Sequence, residues 1–90
     1  MNSRTHEFSW KLLLRQADAS FRDGNLDETE ELYKQALSQV EDELGPNNPH
    51  TRHILIKLAD CYEEQGRTFD SHELYRRVHA MVTAANPMLV

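Results

Sequence analysis

An all-α fold of two successive helical hairpins, four antiparallel helices in one domain over residues 1–90, is what this sequence predicts. Two observations carry the prediction. The first is an internal repeat. With the chain shifted by 42 residues, Leu13 falls on Leu55, Ala17 on Ala59, Asp18 on Asp60, Gly24 on Gly66, Leu32 on Leu74 and Tyr33 on Tyr75. At the same offset Arg15 and Lys57 pair as cations, as do Lys34 and Arg76, and Thr29 and Ser71 pair as small hydroxyls. The second is periodicity. Apolar residues recur at spacings of three and four, and no stretch alternates with period two for long enough to form a strand.

Repeat one spans about residues 8–45. In its first helix Trp10, Leu13, Leu14, Ala17 and Phe21 fall on one face. Asp23-Gly24-Asn25 stops the run, because glycine tolerates the left-handed conformation that ends helices. Asn25 with Glu28 three residues on predicts a capping box for the second helix. That helix carries Leu32, Tyr33, Ala36, Leu37, Val40 and Leu44, and Gly45-Pro46-Asn47-Asn48-Pro49 ends it. Repeat two spans about residues 49–86. Asn48 is placed to cap its first helix, with Pro49 at the first helical position. Leu55, Leu58, Ala59 and Tyr62 form the next stripe, up to Gln65-Gly66. The last helix carries Leu74, Tyr75, Val78, Met81, Val82 and Ala85, and Asn86-Pro87 stops it. Four helices of about 15–20 residues result, a common globular length. Ala17 and Ala59 lie where the helices of each hairpin cross, and a larger side chain there forces them apart. Tyr33 and Tyr75 are large enough to fill the gap toward a neighbouring first helix.

The charge balance is acidic, with 15 Asp and Glu against 10 Lys and Arg. That argues against generic binding to nucleic acid or an anionic membrane, which requires a positive surface. Much of the acidic excess falls between Asp27 and Glu43. The carboxylates at the start of the second helix favour its dipole. Glu41-Asp42-Glu43, at its disfavoured end, is either a solvated surface or a docking patch for a basic partner. A lone cysteine, Cys61, precludes an internal disulfide and fits a reducing compartment. With no apolar run of membrane-spanning length and no leader-like segment, the expected location is cytoplasmic.

Ordered as small residue, Gly, Leu-Tyr and Ala-Leu, these positions resemble the tetratricopeptide repeat. The stretch Glu31-Leu32-Tyr33-Lys34-Gln35-Ala36-Leu37, followed by Leu44-Gly45-Pro46-Asn47-Asn48-Pro49-His50, is similar to the 42-residue variant of kinesin light chains. The resemblance covers about Trp10 to Met81. It implies a short right-handed solenoid that acts as a protein-binding adaptor. Thr29 and Ser71 stand where the family usually has Ala. Phe69 is displaced by one from the family's aromatic position, which predicts a distorted start to the fourth helix, and His79 stands at the position of Leu37.

The resemblance also implies a binding surface, since the family lines a concave groove with its first helices. By position, that groove takes Lys11, Leu14, Arg15, Asp18, Phe21 and Arg22 from repeat one. From repeat two it takes His53, Ile56, Lys57, Asp60, Glu63 and Glu64. Arg15 beside Lys57 then makes a basic row, and Asp18 beside Asp60 an acidic one. Arg15–Asp18 and Lys57–Asp60 also have the spacing of i,i+3 surface pairs, worth ~0.2–0.5 kcal/mol each. The family's clamp for a terminal carboxylate needs Lys and Asn where this chain has Leu14 and Asp18, so that mode is not expected. The expected ligand is a protein or peptide segment held by mixed apolar and charged contacts.

Two repeats are few for an array in which each unit buries a face on the next. Apolar residues cluster at both ends, Phe8 and Leu12 at one and Met81, Val82 and Met88 at the other. They predict a homodimer, or a structural unit that oligomerises through its ends. No cofactor, metal or catalysis is expected. The five histidines lack the converging spacing of metal ligands, the three glycines are isolated, and no nucleophile motif occurs. Cys61 falls in a core-forming stripe, as a small buried hydrophobe does.

Overall fold

A computed structural model describes residues 9–85. Helix α1 spans Trp10–Arg22, α2 Leu26–Leu44, α3 Pro49–Glu64 and α4 Thr68–Ala85, with no strand among the described residues. The helices pack in sequence order, α1 on α2, α2 on α3 and α3 on α4.

The two hairpin turns have one geometry. Gly24 and Gly66 take φ of +80° and +78°. After α1 the Gly24 N–H donates to the Phe21 carbonyl at 3.1 Å and the Asn25 N–H to that of Ser20 at 3.0 Å. After α3 the Gly66 N–H donates to Glu63 at 3.0 Å and the Arg67 N–H to Tyr62 at 2.8 Å. This pair of bonds is the Schellman motif, which satisfies carbonyls that a helix end leaves unpaired. The turn explains two departures from expectation. The start of α4 is not distorted by Phe69, because the backbone bonds set it. Thr68 begins α4 as Leu26 begins α2, and Phe69 points outward, 75 % exposed. The capping box at Asn25 does not form. Asn25 has ψ of 75°, away from the extended geometry of a side-chain cap, and its side chain makes no cap hydrogen bond. Its carbonyl instead accepts from the Thr29 hydroxyl at 2.8 Å and the Thr29 N–H at 2.9 Å.

The connection between repeats follows the sequence more closely. Asn48 caps α3, its Oδ1 accepting from the His50 N–H at 2.8 Å, with Pro49 opening the helix. Buried Thr51 adds a bond that pattern reading missed, donating its hydroxyl to the Gly45 carbonyl at 2.8 Å.

The core runs through the seam between the repeats. Ala17 and Ala59 are fully buried at the helix crossings. One cluster joins Trp10, Leu13, Ala36, Val40 and Ile54. A second joins Ala17, Tyr33, Leu58, Cys61 and Tyr62. Thr29 and Ser71, at the family's Ala positions, are both 0 % exposed, and their hydroxyls find backbone carbonyls at Asn25 and Thr68. Burial places the Cys61 thiol above its usual range, which suits a packing role.

Candidate functional site

The residues assigned to the groove form two stripes on α1 and α3. Lys11, Arg15, Asp18 and Arg22 recur along one side of α1, and His53, Lys57, Asp60 and Glu64 recur at the matching positions of α3. Lys11, Arg15, Arg22, His53, Asp60, Glu63 and Glu64 are exposed, and Ile56 offers an apolar contact at 36 % exposure. Leu14 and Phe21 are half-buried. Leu14 packs on both core clusters and Phe21 on the second, so much of their surface is already used within the chain.

One charge of each stripe pairs across the seam. Lys57 Nζ reaches across the seam to Asp18 Oδ1 at 3.3 Å. Asp18 also accepts the Tyr33 hydroxyl. One carboxylate thus ties together α1, α2 and α3. Among the described residues no ion pair joins Arg15 to Asp18 or Lys57 to Asp60, so the i,i+3 pairs suggested by spacing do not form. The reason is reach: Lys57 finds Asp18, which already lies beside the seam, and Asp60 is engaged by the Tyr75 hydroxyl at 2.7 Å. That bond, followed by burial, pushes the Tyr75 phenol up to about 12. Tyr33 is raised further, by burial first and then by Asp18.

Sequence reading missed a second polar knot across the seam. Glu30 of α2 accepts from Arg67 at 2.8 Å and Gln65 at 3.3 Å, and pairs with Lys34 at 2.8 Å. Arg67 also bonds Asp70 at 2.9 Å and lies 4.2 Å over the Tyr62 ring. Burial is the largest single influence on Glu30 and opposes ionisation. The Lys34 and Gln65 hydrogen bonds and the Lys34 and Arg67 charges outweigh it, holding the carboxyl below its usual range. No spacing rule links residues so far apart. The available signal was the repeat itself, which marks Arg67 as a departure from Asn25. Glu41 is likewise engaged by Arg77 within the chain, leaving Asp42 and Glu43 as the exposed part of that acidic run.

At the ends, Leu12 and Val82 are half-buried and Met81 is 5 % exposed, so Met81 is core and not open surface. Phe8 and Met88 lie outside the described residues. An open hollow on α4 is lined by His72, Tyr75, Arg76 and His79. His79, at the position of core-packed Leu37, faces solvent. The body measures 43 × 35 × 15 Å, too thin along one axis for a third layer of helices ~10 Å across. Among the described residues no three His, Cys, Asp or Glu side chains converge as metal ligands do, and no helix is long and apolar enough to cross a membrane.

Comparison with known families matches a tetratricopeptide repeat model to residues 11–84. Comparison with curated proteins and with solved structures gave no match.

Proposed function

From the premise that the chain belongs to the tetratricopeptide repeat family, generally a non-catalytic protein-interaction fold, we propose that the α1–α3 face binds an extended or helical segment of a partner protein. One observation carries the reading: Lys57 Nζ lies 3.3 Å from Asp18 Oδ1, so the two stripes lie side by side. They form one surface, with Ile56 as an apolar centre and Lys11, Arg15, His53 and Asp60 as exposed polar contacts. Such a surface suits a ligand with a few apolar anchors and charges of both signs. The 42-residue spacing and the Gly-Pro-Asn-Asn-Pro turn support the long-helix variant similar to kinesin light chains. A buried, unpaired Cys61 supports a reducing, cytoplasmic setting.

A peptide array probed with the purified chain tests the proposal. Ile56→Glu and Arg15→Glu change exposed positions, so both variants should keep the wild-type melting temperature and lose the captured peptides. Capture unchanged in both would sink groove binding. Leu14→Glu is a poorer probe, since Leu14 supports both core clusters.

A second reading is self-association through the ends. The observation favouring it is the open face of α4, where exposed His72, Arg76 and His79 surround Tyr75.

A further inference from the structure

The inner seam supplies a template for the two outer faces. Repeat two docks on repeat one through Ile54, Leu58 and Tyr62, and through Lys57 bridging Asp18 at 3.3 Å. Moving each position back by one repeat gives the surface that α1 turns away from the seam. Moving the receiving positions forward gives the outer face of α4 together with Asp60 of α3. The charges of the seam reappear on these two faces. Asp60 stands for Asp18 and already holds its tyrosine, as Asp18 does. Arg15 stands for Lys57. A second pair reappears with altered chemistry. Glu30, which receives Gln65 at 3.3 Å, becomes His72, and Gln65 becomes Asp23, so an acceptor–donor pair turns into an acid facing an imidazole. Among the apolar contacts Ile54 becomes Leu12 and Val40 becomes Val82, while Leu58 and Tyr62 become Gln16 and Ser20.

We propose that a second copy of this chain docks its α1 on α4, repeating the inner seam by the same step. The partner's Arg15 meets Asp60, and the partner's Asp23 meets His72. This rests on the self-association reading and not on groove binding. The loss of Leu58 and Tyr62 equivalents makes the joint weaker than the covalently linked seam, so association belongs at concentrations of about 100 μM, where mass action favours it. The contact is heterologous: each copy offers one face of each kind. Assembly therefore grows beyond two copies and does not close as a symmetric dimer.

Sedimentation of the 90-residue chain from about 10 μM to 1 mM tests this, with thermal melts confirming that each variant is folded. The wild-type average mass should climb past that of two copies. Arg15→Glu alone, or Asp60→Lys alone, should weaken association about tenfold or more, because like charges then face each other. Mixing the two variants should restore it, since each carries the complement that the other lacks. His72→Glu, opposite the partner's Asp23, should weaken association without touching the Tyr75 hydrogen bond. A wild-type chain that stays single at the highest concentration overturns self-association altogether. Association that survives all three variants, or that mixing fails to restore, overturns the head-to-tail joint and leaves self-association standing.

Discussion

Tyr33 and Tyr75 occupy the same place in successive repeats and make the same bond, each hydroxyl donating to an aspartate fifteen residues earlier. Their surroundings differ. Tyr33 is 2 % exposed, closed over by Leu58, Cys61 and Tyr62 of the next repeat, whereas Tyr75 is half-buried on an open face. The hairpin alone therefore dictates the hydrogen bond, and the neighbouring repeat dictates the burial. Local sequence writes the hairpin twice, and the packing of repeat two on repeat one is what turns Tyr33 into core.

Truncation should break this comparison most strongly. Tyr33→Ala should cost about 3–5 kcal/mol, as aromatic truncations in cores do. Tyr75→Ala should cost less than half as much, and denaturant titration of the two variants measures the gap. Ala17→Leu and Ala59→Leu should abolish the difference. Both sites are 0 % exposed, so each should lose about 1–3 kcal/mol by overpacking, visible as similar falls in denaturation midpoint. Removing only the hydroxyl gives a finer contrast. Tyr33→Phe should cost about 1 kcal/mol and Tyr75→Phe less, because water can replace the exposed partner.

The subtlest test uses pH. Glu30 has a lowered folded-state pKa, so its contribution is present above the ordinary carboxyl value near 4.5 and is lost as pH falls through the folded value. Acid melts of the wild type should show this decline, and Glu30→Gln should flatten it. His72, in the matching position of repeat two, supplies no such carboxylate.

The hairpins, their turns and the buried alanines were legible because they follow from local rules: helical spacing, glycine at a left-handed turn and small residues at a crossing. The Asn48 cap was legible for the same reason. The Asn25 cap was not, because a Schellman turn rotated its backbone away from capping geometry. The stripes on α1 and α3 follow from the 42-residue repeat, whereas their pairings do not. Lys57 pairs across the seam with Asp18, a choice set by how closely the repeats approach, which no spacing within one helix encodes. The Arg67–Glu30 knot was hidden for the same reason.

Trp10 gives the seam a voice of its own. It is the sole tryptophan, 6 % exposed, and its ring lies 5.1 Å from that of His50 at the start of repeat two. The indole therefore reports the junction, through Ile54 and His50, together with the α1–α2 packing around Leu13, Ala36 and Val40. Its emission should shift when the repeats part, even while circular dichroism still records intact helices. Comparing those two signals during denaturation would separate opening of the described junction from melting.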